Sequence, residues 1–396
     1  MTKNYRQTLI ACYMGFITQA VAANFVPLLF LTFHETYGIS LVKIAMISSV
    51  FFLTQLVTDL LSAGLADRIG YRPCIMASEI LSALGLLGLA FLPDLFPDPF
   101  AGILICVAVY AVGSGLIEVL CSPIVEACPF ENKESVMSLL HSFYCWGAVG
   151  TIFLSTVFFS VFGTGSWRIL SCLWALIPLV NIRNFAVCPI EHLVEEEKSM
   201  TGAQLLKTPL FWLLVLLMVC SGASELAMAQ WASAFTESAL GVSKTVGDLA
   251  GPCLFAVLMG LSRVFHGRFG KSMDMMKFMI LSGILCVACY LLAALSVSPI
   301  FGLVGCALCG FSVGIMWPGT ISISAHTLTR GGTAMFALLA LAGDLGGALG
   351  PGLIGVASQQ MGGNLKTGIL LGCIFPVIMV AGLLFLGKKQ KHNNSL

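Results

Sequence analysis

Apolar runs recur twelve times along this chain, separated by short polar breaks. A helix needs about 20 predominantly apolar residues to cross a bilayer, and every run reaches that length. The pattern predicts membrane helices over residues 8–33, 41–65, 74–93, 101–125, 135–161, 167–187, 209–236, 246–265, 276–296, 299–324, 332–358 and 366–387. One sizeable polar stretch interrupts the series, from Pro189 to Thr208, and carries the acidic run Glu195-Glu196-Glu197 of a solvated loop. The expected architecture is all-α and membrane-embedded. Residues 1–188 make one six-helix bundle, 189–208 a cytoplasmic loop, and 209–396 a second six-helix bundle with a short basic tail.

Composition agrees with that class. Of the 396 residues, 58% are hydrophobic and 10% charged, against about 25% charged in soluble domains, so the excess apolar surface must face lipid. The net charge of +1 comes without a basic stripe or basic–aromatic interleaving, which argues against a nucleic-acid partner. The N-terminus runs directly into an apolar stretch long enough to span, and is read as a first helix rather than a cleavable leader. With twelve spans both termini lie on one side. Of the 20 Lys and Arg residues, all but Lys43, Arg168, Lys244 and Lys366 fall on that side. By the positive-inside rule both termini are cytoplasmic, in the inner membrane. The 15 Cys residues lie almost entirely in apolar runs and read as small hydrophobes. Cys286-x-x-Cys289 and Cys306-x-x-Cys309 have zinc-like spacing but sit in predicted membrane helices, whereas structural zinc sites favour ribbons and turns. No metal or other cofactor is expected.

The halves share a pattern. Asp67-Arg68-Ile69-Gly70 joins helices two and three, and Gly267-Arg268-Phe269-Gly270 joins helices eight and nine, 200 positions later. Gly115 and Pro123 in helix four match Gly310 and Pro318 in helix ten, 195 positions later and with the same spacing of eight. Two parallel six-helix repeats are an arrangement in which a solute sits at the midplane between halves that rock.

Gly64-Leu-Ala-Asp67-Arg68-Ile-Gly70-Tyr-Arg72 resembles the loop motif of the major facilitator superfamily. That resemblance implies twelve helices in two pseudo-symmetric bundles, with Gly64, Asp67, Arg68, Gly70 and Arg72 forming the cytoplasmic gating motif. One departure is Ala63 where the family carries glycine four residues before the Asp. Within the superfamily, Gly113-Ser-Gly115-Leu-Ile-Glu118-Val-Leu-Cys-Ser122-Pro123 resembles the fucose permease group of sugar–proton symporters, with Ser122 replacing an Asn. Leu140-His141 in helix five, Gly222-Ala-Ser-Glu225 followed by Trp231 in helix seven, and Gly310-Phe311 with Trp317-Pro318 in helix ten are similar to that group. Helix one departs from it, carrying Pro27 after Asn24 where the group has an aspartate.

A charged side chain at the bilayer centre costs roughly 3 kcal/mol on insertion scales, so intramembrane polar residues carry the candidate chemistry. Glu118 is flanked one turn each way by Ser114 and Ser122, a polar stripe on one helix face. It is the first candidate for proton coupling. A structural glutamate bonded to a neighbouring helix is the competing reading. Asp344, among glycines in helix eleven, is the second, against a role in helix packing. Asn24, His141, Trp146, Glu225, Gln230 and Trp231 make up a candidate solute site, with mixed donors and acceptors plus an aromatic platform. Glu225 reaches the non-cytoplasmic third only if helix seven breaks around Gly222, and it shares a cavity with Trp231 only if that helix bends, because six positions subtend about 240° on a regular helix. Asp59 and Glu79 read as scaffolding near the gate, and Trp167 as part of an interfacial aromatic belt. Pro27, Pro123 and Pro318 are expected to kink their helices.

The expected function is secondary active transport by alternating access, as a monomer in the lipid bilayer. It couples to H+ and imports a sugar or similar small polar solute. The alternative is a proton-coupled exporter of amphipathic compounds, which the many Phe and Met would suit. An enzyme would need a clustered nucleophile–base or metal constellation, and ATP-driven transport a phosphate-cradling glycine loop; the sequence offers neither.

Overall fold

The computed structural model describes residues 4–130, 133–191, 200–269, 274–328 and 330–393. Among these every regular element is helical. Twelve helical spans are long and apolar enough to cross a membrane: α1 (Tyr5–Tyr37), α2 (Leu41–Ser62), α3 (Tyr71–Leu89), α4 (Pro99–Glu126), α5 (Leu139–Phe162), α6 (Thr164–Val187), α7 (Pro209–Ala239), α8 (Lys244–His266), α9 (Met275–Leu295), α10 (Pro299–Thr327), α11 (Ala334–Gln360) and α12 (Leu365–Lys388). Each coincides with one predicted run. Their outer faces stay apolar and exposed, as at Leu84, Leu176, Ile284 and Leu384. The acidic run Glu195-Glu196-Glu197 lies outside the described residues.

The chain divides into two compact units, Met1–Glu195 and Glu196–Leu396, and each holds six spans. Their first turns repeat in conformation. Gly38 (φ 65) ends α1 and Gly241 (φ 67) follows α7, both in the left-handed region that favours glycine. Two residues later Ser40 (ψ 156) and Ser243 (ψ 148) cap the next helix in extended conformation.

In the first unit the core is built from α1, α3, α4, α5 and α6 through Phe16, Ile75, Ile117, Cys121, Leu140 and Phe185. The α-helix of α1 ends at Asn24, and a 3₁₀ turn over Val26–Leu29 follows around Pro27. Proline has no N–H to continue the ladder. Trp167 is not in an exposed belt. It is 1% exposed, packs edge-on against Phe33 at 5.3 Å, and lies under the Arg168 guanidinium at 4.7 Å. Its position at a helix start could not separate a belt from a core residue.

In the second unit α7 and α11 cross at backbone contact. A Cβ on Gly222 would lie 2.2 Å from Gly343 O, and one on Gly346 would lie 2.2 Å from Val219 O. Small residues permit such approach between membrane helices. The helix of α7 runs unbroken from Pro209 to Ala234, so Gly222 serves the crossing and not a break. The interruption falls in α10 instead, between a helix ending at Val313 and another starting at Met316. Arg263 Nε donates to the Gly314 carbonyl there at 3.3 Å, which supplies a partner where the ladder is interrupted. Cys286 and Cys309 meet with their sulfurs 3.9 Å apart, and all four cysteines of the two paired motifs are buried free thiols.

Replacing Gly222 by Val must separate α7 from α11 and should cost about 1–3 kcal/mol, the usual range for overpacking. Gly150, where an added Cβ meets nothing within 4 Å, is the control. Thermal melts of detergent-solubilised protein should fall for Gly222→Val and hold or rise for Gly150→Ala.

Candidate functional site

The polar stripe on α4 reaches three neighbouring helices in turn. Ser114 Oγ donates to Gln55 Oε1 of α2 at 2.8 Å. One turn on, Glu118 Oε2 accepts Nε2 of Gln55 at 2.6 Å and Nε2 of Gln19, from α1, at 2.8 Å. A further turn on, Ser122 Oγ lies 3.4 Å from His141 Nε2 on α5. The three residues share a face through their i, i+4 spacing, and the carboxyl of Asp59, from α2, lies within 4.8 Å of the Glu118 carboxyl beside that face. Gly115 makes room for it: a Cβ there would sit 2.8 Å from Asp59 Oδ1 and 3.1 Å from Gln55 O. Gln19 is 6% exposed, and its Oε1 has no hydrogen-bond partner among the described residues.

The other candidates of the first unit stand at different distances from this cluster. His141 is exposed, with its ring edge-on to Phe16 at 5.3 Å. Asn24 turns back on its own helix, donating to Ala20 O at 2.9 Å. Trp146 is 47% exposed. Glu79 is fully buried and accepts from Thr18 and Asn181.

In the second unit Glu225 is 7% exposed and faces Arg263 of α8, with Nη2 3.7 Å from Oε2. Gln230 is buried, and Asp344 is 2% exposed. Asp344 follows Gly343, where a Cβ would collide with the Trp317 ring at 2.1 Å. Trp231 differs from the platform expected of it. Its indole is fully buried, and Nε1 donates to Pro351 O at 3.0 Å. The regular helix around Gly222 leaves it in the α7–α11 packing. Sequence reasoning also passed over a second polar cluster. Lys244 Nζ lies 3.1 Å from Asp248 Oδ2 and 3.9 Å from Glu237 Oε2, and Ser233 Oγ donates to Asp248 Oδ1. Two π-helical turns, Phe235–Ala239 and Leu249–Cys253, flank it.

Of the loop motif, the surroundings of Gly64 and the side chains of Asp67 and Arg68 lie outside what the structure describes. Gly70 has φ 98 and closes the preceding helix with its N–H on Ala66 O at 2.9 Å. Arg72 takes a definite part: its guanidinium donates to Phe185 O, Ala186 O and Cys188 O at 2.6–2.7 Å. Carbonyls at a helix C-terminus lack partners within the helix, and a cation there also meets the negative end of the dipole. Burial pushes the Cys188 thiol up, and Arg72 beside it pulls the other way.

Gln19, Gln55 and Glu79 are the residues the sequence reading missed or undervalued. The available signal was the presence of strong hydrogen-bonding side chains inside apolar runs.

The family model described as Major Facilitator Superfamily matches residues 11–351. No curated protein sequence matches the chain. Among solved structures it is similar to a bacterial homolog of the human lysosomal transporter Spinster in an inward-facing and occupied conformation. That match has 14% identity and a TM-score of 0.78, over 98% of each chain. It is also similar to a D-xylose–proton symporter, at 14% identity and a TM-score of 0.75 over 96% of each chain. The fucose:proton symporter of E. coli matches at 16% identity and a TM-score of 0.67, over 95% of this chain and 98% of that one.

Arg72→Ala should lower the melting temperature by the equivalent of about 1.5–3 kcal/mol, the scale of a charge-assisted hydrogen bond. Arg72→Lys should recover only part of the loss, because one ammonium cannot reproduce the planar fork that spans three carbonyls. Equal melts for the three proteins would remove this role.

Proposed function

This chain belongs to the Major Facilitator Superfamily, and from that premise we propose that it is a proton-coupled importer of a sugar or similar small polar solute. It works by alternating access of its two halves, as a monomer in the inner membrane with both termini cytoplasmic. The observation that carries the reading is the Gln19–Glu118–Gln55 cluster. Because Glu118 Oε2 faces two amide N–H donors, the proton-accepting atom is Oε1. Gln19 Oε1, buried and without a described partner, is an acceptor suited to a solute hydroxyl. Protonation of Glu118 and binding of the solute together stabilise an occluded state, so coupling is a difference of affinities between conformations. Asp344 is the second candidate coupling group. His141 and Asn24 supply further polar contacts. Glu225, facing Arg263, and the packed Trp231 act through the α7 scaffold, and Gly64, Asp67, Arg68, Gly70 and Arg72 act at the gate. The sugar–proton symporters among the similar structures are consistent with this choice of solute and ion.

A second reading, export of amphipathic compounds, draws on an apolar cavity of ≈ 520 Å³ along α2 and α4, lined by Val50, Leu53, Val57, Leu61 and Leu116 among others.

Purified protein in liposomes under an inward proton gradient should accumulate a labelled hexose or deoxysugar, and an uncoupler should collapse the gradient of solute. Glu118→Gln should reduce uphill accumulation about tenfold or more, equivalent to ~1.4 kcal/mol of lost coupling, while counterflow exchange persists. Full accumulation by Glu118→Gln would remove Glu118 from coupling. Proton-linked extrusion of hydrophobic dyes, with no sugar accumulated, would favour the exporter.

A further inference from the structure

Glu79 is a buried carboxyl that the coupling scheme leaves unused. It is 0% exposed, and both of its oxygens are engaged. Asn181 Nδ2, from α6, donates to Oε1 at 2.8 Å, and Thr18 Oγ1, from α1, donates to Oε2 at 3.1 Å. Asn181 is itself fixed. Its Nδ2 also donates to Ala11 O at 2.9 Å, and its Oδ1 accepts from Asn184 Nδ2 at 3.1 Å. An amide has two N–H donors, and here both are spent. Asn181 can therefore only donate to Oε1, and a proton held by Glu79 must sit on Oε2, facing Thr18. A hydroxyl can donate or accept, so Thr18 serves either state, but it must turn its own hydrogen to do so.

Thr18 and Gln19 are consecutive in α1. Successive residues of a helix point about 100° apart, which sends Thr18 toward Glu79 on α3 and Gln19 toward Glu118 on α4. One stretch of α1 thus holds two carboxyls, the buried Glu79 and the half-buried Glu118, by adjacent side chains. A small rotation of α1 cannot leave both bonds unchanged.

We propose that Glu79 is a positioning residue for Glu118: its bond to Thr18 sets the rotation of α1 that brings Gln19 onto the Glu118 carboxylate. The inference rests on the reading of Glu118 as the proton-coupling group. The partners described for both carboxyls are neutral. Within the first unit, the titratable groups that approach them are Asp59 on α2, whose carboxyl lies within 4.8 Å of that of Glu118, Cys121 on α4 and Cys12 on α1 near Gly15, and His141 on α5 near Ser122.

The test needs no known solute. Infrared difference spectra of the purified protein in lipid, taken through a pH titration, report protonated carboxyls by their C=O band. Glu118→Gln identifies the component that belongs to Glu118. Thr18→Val, which keeps side-chain shape and removes the hydroxyl, and Glu79→Gln should each move the midpoint of that component by about half a pH unit or more, roughly a threefold change in the protonation equilibrium. Ser171→Ala, which removes a buried hydroxyl bonded to Leu86 O at 2.7 Å in the same unit, should lower the melting temperature and leave the midpoint in place. An unmoved midpoint in Thr18→Val and Glu79→Gln, with the Glu118 component present, overturns the proposal alone. Loss of no titrating component in Glu118→Gln overturns the coupling reading beneath it.

Discussion

Hydrocarbon offers no hydrogen bond, so every polar group carried into the bilayer must find its partner within the protein. The arrangement of both units follows from that constraint. Some hydroxyls inside the spans return to their own helices, as Thr58 to Thr54 O, Thr151 to Gly147 O, Thr156 to Ile152 O and Thr320 to Met316 O, and others reach across, as Thr18 to Glu79, Ser114 to Gln55 and Ser171 to Leu86 O. Where a helix ends or is interrupted, a guanidinium supplies donors, Arg72 at the end of α6 and Arg263 at Gly314. Satisfaction is not complete: Gln19 Oε1 is one of several buried side-chain polar atoms, Ser82 Oγ, Ser221 Oγ and Ser224 Oγ among them, for which the described residues supply no hydrogen bond.

Satisfying these groups requires that helices come close enough for short side chains to reach. Glycine provides the approach. Gly115 lets α2 come against α4, which brings Gln55 and Asp59 to the level of Glu118. In the second unit the same device at Gly222 and Gly346 brings backbone to backbone, and there it yields packing, with Trp231 sealed against Pro351 O. One structural means therefore has two consequences, a polar cluster on α4 and an apolar seam on α7, according to the side chains that flank the glycine.

This distinction marks the limit of what the sequence made legible. The twelve spans were readable because bilayer thickness imposes a length on each apolar run. The stripe Ser114–Glu118–Ser122 was readable because spacing within one helix defines a face. Which helices meet that face was not readable. Gln19 and Gln55 lie in other spans, and nothing in local spacing connects them to Glu118. The same holds for Thr18 and Asn181 around Glu79, which made a buried network look like gate scaffolding. An aromatic residue in an apolar run carries no mark of its surroundings either, which is why Trp167 and Trp231 read as a belt and a platform. The interruption in α10 falls one turn before Pro318, where a kink is expected, because proline has no N–H to offer the Gly314 carbonyl. That Arg263 supplies the missing donor was not readable.

The charge of the neighbours separates the acids inside the spans into two kinds. Glu225 faces Arg263, and Asp248 faces Lys244. A fixed counter-charge compensates an ionised carboxylate in surroundings where an isolated charge is costly, so these acids can remain charged without a mobile ion. Glu118 is held by two neutral amides, which orient the carboxylate and solvate it but cannot neutralise it. No fixed cation is among these partners, and under the proposed coupling a proton balances its charge. The free oxygen of Glu118, one atom with no amide donor in front of it, can accept a proton without displacing either glutamine. A solute hydroxyl bonded to Gln19 would favour the geometry in which that amide also stays on Glu118. Proton and solute would then stabilise the same arrangement of α1 and α4, which is the thermodynamic requirement for coupled transport.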